Sequence, residues 1–170
     1  MYSLARTFRT IHFLDIENLC SAAIVTTTQV EDALTDYIRC VGIADTDLVV
    51  IAANTTNAPT AYFTAQRMLS ARLLPPGRGK DAADLALIEA ITSTPNITSF
   101  DTVVIGSGDH IFAPTLAHIA AQGVNTIAVS RVDALSTQLR LATHSSIVLP
   151  HFTHTRRATV IDITTRKEIA

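Results

Sequence analysis

The sequence predicts an α/β protein with a mostly parallel sheet and helices on both faces. Two observations carry this. Short β-branched runs, Ile11 to Leu14, Leu48 to Ala53, Val103 to Ile105 and Thr126 to Val129, have the continuous apolar character of strands buried on both sides. Stretches with helical apolar spacing separate them, and that alternation folds as parallel strands with crossover helices.

The centre of the pattern is Asp101 to Ser130. The strand Val103 to Ile105 ends at Gly106-Ser107-Gly108, where small residues let the chain turn sharply. Asp109 follows, and then Phe112, Leu116, Ile119 and Ala120 at helical spacing, closed by Gly123. A carboxylate is thereby set at the carboxyl end of a parallel strand, where open α/β sheets bind ligands.

Before this unit, residues 1–10 read as a lead-in, and Ile11 to Leu14 delivers Asp15, with Ile16, Glu17 and Asn18 behind it. Thr26 to Thr28 can cap a helix carrying Val30, Ala33, Leu34, Tyr37, Ile38 and Val41, ended by Gly42. Leu48 to Ala53 is the second strand, Asn54 to Pro59 a polar loop, and about Thr60 to Ala71 a helix. Arg72 to Leu74 is a short strand cut off by Pro75-Pro76, and Gly77-Arg78-Gly79-Lys80 is a basic loop. A helix beginning near Asp81 carries Asp84 and ends before Pro95. Late in the chain, Asp133 or Ser136 caps a helix with Leu135, Leu139 and Ala142, and Ile147 to Leu149 is a last strand. The tail from His151 to Ala170 gathers basic residues, and its alternating segment Thr159 to Thr164 reads either as an edge strand, able to pair between two chains, or as a loose arm.

Composition narrows the function classes. With 48% hydrophobic and 16% charged residues the chain describes a folded domain, and a net charge of −2 argues against dense electrostatic wrapping of nucleic acid. No apolar run suits a membrane span. Cys20 and Cys40 have no metal-site spacing, which leaves a reducing cytoplasm as the simplest setting.

Three carboxylates are candidates for one site: Asp15, Asp84 and Asp109. Crowded carboxylates repel and raise one another's pKa, and a divalent cation relieves that cost. Oxygen-only ligation suits Mg²⁺ or Mn²⁺, which completes its shell with water and phosphate. Such a site favours phosphodiester hydrolysis. Arg78 and Lys80 flank it as phosphate-holding cations, Asn18 can orient water or donate to a phosphate oxygen, and His110 adjoins Asp109 within reach of a scissile phosphate. Taken singly, Asp15 also serves as a helix cap, and Lys80 with Asp84 as an exposed ion pair. Glu89 reads as surface, and the other histidines as structural or solvated. A phosphatase or nucleotide-binding protein is disfavoured, since no phosphate-cradling P-loop is present.

FLDIENL at Phe13 to Leu19, GRGKDAADLAL at Gly77 to Leu87 and VVIGSGDHIFAPTLAHIAAQG at Val103 to Gly123 resemble the signature blocks of the NYN domain family of PIN-like ribonucleases. The resemblance covers about residues 9–150 and implies a PIN-like three-layer α/β/α sandwich; the domain is accordingly set at residues 1–150, followed by the basic tail 151–170. It also implies metal-dependent cleavage of RNA, with Asp15, Asp84 and Asp109 as ligands of Mg²⁺ or Mn²⁺, Asn18 in support and Lys80 near the phosphate; Arg78, Ser107 and His110 are the further candidates on the substrate side. One position departs: many NYN domains place another aspartate where this chain has Ile111. The alternative it raises is an RNA-binding or adaptor module that keeps the fold without turnover.

Overall fold

The computed structural model describes residues 8–79 and 81–150. Lys80 and the tail 151–170, with its alternating segment, lie outside the described residues, as do residues 1–7. The elements are β1 (Thr10–Asp15), α1 (Ile16–Cys20), α2 (Thr27–Val41), β2 (Leu48–Ala52), α3 (Ala58–Met68), β3 (Arg72–Leu73), α4 (Ala82–Ser93), β4 (Thr102–Gly106), α5 (Ala113–Ala121), β5 (Asn125–Arg131), α6 (Thr137–Ala142) and β6 (Ser145–Leu149). Short 3₁₀ turns at Ile97–Ser99 and His110–Phe112 precede β4 and α5.

The strands form one six-stranded sheet in the order β3-β2-β1-β4-β5-β6. Every paired neighbour is parallel. The chain therefore steps outward from β1 to β3, returns over the sheet, and steps outward the other way from β4 to β6. Right-handed crossovers then put α2 and α3 on one face and α4, α5 and α6 on the other. The result is a three-layer sandwich with two cores. Ile11, Phe13, Val103 and Ile105 pack against Leu87, Ile91, Leu116 and Leu139 on one face. Leu14, Ile51, Val104 and Val129 pack against Leu34, Tyr37 and Ala61 on the other. Alternation along β1 explains this, because neighbouring side chains leave a strand on opposite faces.

Several boundaries differ from the sequence reading for identifiable reasons. The polar loop stops short: α3 begins at Ala58, and Pro59 sits in its first turn, where a missing N–H costs nothing. A five-residue helix, α1, starts directly after Asp15, too short to show a period in sequence. Ser136 is the residue that caps α6, its hydroxyl accepting from the Leu139 N–H, while Asp133 takes a left-handed conformation at φ 62°. No helix among the described residues is long and apolar enough to cross a membrane.

Buried Arg131, at the end of β5, ties the site-bearing segments together. Its Nε donates to the Leu19 carbonyl at 2.8 Å, and its Nη1 to Asp36 at 2.7 Å and to the Pro150 carbonyl at 2.6 Å. This fixes the end of α1 against β5 and α2. Arg131→Met leaves those acceptors without their cation and is expected to cost about 3 kcal/mol in urea unfolding. A loss under about 1 kcal/mol, the worth of a surface pair, contradicts that role.

Candidate active site

The strand order reverses between β1 and β4, and the crevice at their carboxyl ends is where such sheets take ligands. Asp15 is the last residue of β1. Asp109 stands three residues beyond the end of β4. Asp84 lies in the first turn of α4, a helix that begins at the same edge because it follows a parallel strand. All three line one cavity of about 420 Å³, together with Glu17, Asn18, Ser21, Ala22 and Ala134.

Asp15 is buried, yet its two oxygens are only lightly engaged. Oδ1 accepts the Asn18 N–H at 3.2 Å, which caps α1, and Oδ2 accepts the Ser107 hydroxyl at 3.4 Å. Burial first, then the facing charge of Asp84, pushes the Asp15 carboxyl well above the ordinary aspartate range. Asp84 is raised as well, again mainly by burial; a hydrogen bond to Asp15 opposes the rise, and Asp109, Asp81 and Glu17 add to it. Its Oδ1 is buried with no hydrogen-bond partner. The neighbouring carboxylate is another acceptor, so the pair calls for a donor between them, whether a shared proton, a water or a cation.

Asp109 is differently placed. Its Oδ1 accepts the Ile111 N–H at 3.0 Å and lies 2.9 Å from His110 Nδ1, so the carboxylate closes its own turn and meets an exposed imidazole. Among the described residues, no group of three or more His, Cys, Asp or Glu side chains stands ready to hold a metal ion. The donor chemistry nonetheless fits a hard cation. An orphaned buried carboxylate oxygen opposite a second carboxylate is what Mg²⁺ or Mn²⁺ would satisfy, with Asp15 and Asp84 as principal donors and Asp109 at the rim.

The other sequence-selected residues fall into distinct places. Asn18 uses its amide oxygen on the protein itself, accepting the Gly108 N–H at 2.9 Å. Ser107, expected on the phosphate, is fully buried; its hydroxyl supports Asp15 and accepts the Asp109 N–H at 3.3 Å. A serine enclosed by the turn cannot reach substrate, so its part is to hold the carboxylate. Ile111 packs against the apolar core instead of facing the cleft. Arg78 lines a neighbouring cavity of about 580 Å³ and not the acidic one. His12, read as structural, is buried at mid-β1 between Tyr37 and Asp47. Glu89 is exposed, as read from the sequence.

Two features of the cleft escape a reading of the sequence. Glu17 lines it while its Oε1 accepts the Asn54 N–H at 2.9 Å and Asn57 Nδ2 at 3.0 Å. Its proximity to Asp15 in sequence was visible, but not the loop it grips. The wall at Ala134 belongs to an apolar residue that carries no chemical signal. It stands there because the Ser136 N–H donates to the Gly108 carbonyl at 2.8 Å, folding the loop after β5 onto the turn after β4.

The chain is an open α/β protein with a parallel sheet and an acidic cleft at the switch point of its strand order. Residues 13–150 match the model of the NYN domain, and the chain belongs to that family, whose members have a generally ribonuclease-like, PIN-type fold and act on RNA. A crystal structure of a protein of unknown function from Vibrio parahaemolyticus RIMD 2210633 is similar, with a TM-score of 0.56 over 87% of this chain and 96% of that one. At 16% identity this likeness bears on the fold alone. No curated protein matches the chain.

Two outcomes follow from this geometry. A Cβ on Gly108 would lie 2.2 Å from the Ala134 carbonyl oxygen, so Gly108→Ala is expected to destabilise by about 1–3 kcal/mol in urea unfolding. Unchanged stability contradicts the clasp between the two loops. The second concerns pH. A carboxyl whose folded pKa lies above its unfolded value binds its proton more tightly when folded, so its contribution to stability falls as pH rises from the ordinary aspartate value through the raised one. Metal-free Asp15→Asn, which keeps a capping oxygen, is therefore expected to melt a few degrees higher than wild type at neutral pH, with the difference vanishing in acid. A variant that melts lower at neutral pH contradicts the repulsion.

Proposed function

We propose that this chain is a metal-dependent ribonuclease that hydrolyses RNA phosphodiester bonds in the acidic cleft, with Asp15, Asp84 and Asp109 as the residues that hold Mg²⁺ or Mn²⁺. The observation that carries the reading is the buried Asp84 Oδ1, orphaned beside a second buried carboxylate. Membership of a family that acts on RNA supplies the substrate class. When bound, the cation supplies charge neutralisation at the phosphoryl oxygens and a lowered pKa for the attacking water.

The rest is the work of the protein. Ser107 and the Asn18 N–H hold the Asp15 carboxylate at the mouth of β1. Asn18 also fixes Gly108, so that the turn carrying Asp109 stays beside Asp15. His110, exposed at the rim and paired with Asp109, and the cations Arg78 and Lys80 of the neighbouring loop are the groups that meet phosphate. A cytoplasmic setting agrees with two free thiols, Cys20 buried and Cys40 exposed.

Ile111 favours a second reading, an RNA-binding or adaptor module without turnover, because the usual carboxylate at that position is replaced by a core side chain. Turnover separates the two. In Mn²⁺ the wild-type chain is expected to cleave single-stranded RNA, and Asp84→Asn or Asp109→Asn to lower the rate at least about 100-fold. Equal rates in wild type and variants remove the assigned roles. RNA binding without cleavage under any divalent ion establishes the adaptor reading instead.

A further inference from the structure

A second cavity adjoins the acidic cleft along the carboxyl edge of the sheet. It has a volume of about 580 Å³ and is lined by Asn54, Thr55, Thr56, Gly77, Arg78 and Gly79. Its character is opposite to that of its neighbour. Among the described residues its walls contain no carboxylate, and Arg78 is the one cation that lines either cavity.

The frame of this cavity is rigid. The Thr55 N–H and hydroxyl both donate to the Gly77 carbonyl, at 3.0 and 2.8 Å, and Asn54 bridges Gly77 in parallel register. The loop after β2 and the basic loop are thereby joined. Asn54 closes its own turn, its side-chain oxygen accepting from Thr56 and Asn57. Gly77 in turn lies against the start of α4, where a Cβ would fall 2.7 Å from the Ala82 Cβ. Arg78 is thus anchored a short way from Asp84 through backbone contacts, while its exposed side chain makes no ion pair among the described residues.

Glu17 links the two cavities, since its partner Asn54 lines the second. It lines the acidic cleft and spends one oxygen on two donors of the β2–α3 loop, Asn54 and Asn57. Asn57 is buried and also bonds the Ala23 carbonyl and the Val25 N–H, which locks the loop to the segment after α1. A carboxylate tied down in this way acts as a strut.

We propose that this cavity seats the phosphodiester next to the scissile one in a single-stranded RNA, with Arg78 as its counter-charge and Glu17 as the positioning residue that holds cavity and cleft in register. This rests on the ribonuclease reading for the position of the scissile bond. The physical reason is electrostatic. A polyanion brought to a cleft of carboxylates is repelled unless a neighbouring cation holds it, and a polar groove that follows the backbone is how single strands are held without sequence readout.

The test uses the full chain and fluorescent oligouridylates of two and eight nucleotides, with binding read by anisotropy over a salt series. Arg78→Ala is expected to weaken the octamer about tenfold, and to lower its log K against log salt slope by about 0.7, the share of one phosphate contact on a single strand. The dinucleotide, which offers a single phosphodiester, is expected to lose less than the octamer, and the melting temperature stays as in wild type. Glu17→Ala, checked for folding by its melting temperature, is expected to reduce the advantage of the octamer over the dinucleotide in the same direction. An unchanged salt slope in Arg78→Ala, or equal losses for the two lengths, overturns the seat. Cleavage of the octamer in Mn²⁺ is followed in parallel. An Arg78-dependent slope without cleavage in wild type supports the seat and removes the catalytic reading, so the two failures are distinguishable.

Discussion

The structure is arranged around two carboxylates that resist being together. Asp15 and Asp84 are brought to one partly dry cleft, where burial and mutual charge favour the protonated form. Nothing in the local chain prefers this; a buried acceptor with no donor costs stability. It is imposed by topology. β1 and β4 are neighbours at the point where the strand order reverses, and α4 begins over the same edge. Cores on both faces of the sheet supply the apolar burial that keeps this unfavourable pair in place. Strain of this kind is expected where a protein trades stability for a site.

Around that pair the chain uses small polar residues as scaffolding. The turn after β4 is held from two sides, by Asn18 through Gly108 and by the loop after β5 through Ser136. Ser107 is enclosed by the turn and steadies Asp15. Asp109 spends an oxygen on its own turn and meets His110. The cleft therefore has buried Asp15 and half-buried Asp84 at its centre and Asp109 at its rim, while the apolar Ile111 packs against the core. A cation drawn to the central pair would find fewer protein ligands than in a full carboxylate cage, and more of its shell would be left to water and phosphate.

Much of the fold was legible because its signals are local. β-branched runs, helical spacing and glycine stops gave the order of the elements, and Asp15, Asp84 and Asp109 could be chosen from their places at strand and helix ends. What was not legible depends on the direction of side chains. Ser107 looks like a substrate contact in the sequence because it is polar and near a carboxylate, yet the fold turns its hydroxyl onto the protein, and Asn18 spends its amide oxygen there while its side-chain amide N–H groups stay out of that contact. Glu17 looked incidental, since its partners Asn54 and Asn57 arrive from a distant loop. Pro59 suggested loop because proline breaks helices in their interior, whereas here it opens one. The basic loop splits accordingly: Arg78 borders a second cavity, and Lys80 lies outside the described residues.

The central proposal is that Asp15 and Asp84, whose burial and mutual charge favour the protonated form, give up a proton when they take a divalent cation. Calorimetric titration of the metal-free chain with Mn²⁺ at mildly acidic pH, in two buffers of different ionisation enthalpy, measures that exchange directly. The account predicts binding with net proton release, and weaker binding with less release in Asp84→Asn. Absence of binding, or binding that releases no proton and is unchanged in the variant, would contradict it.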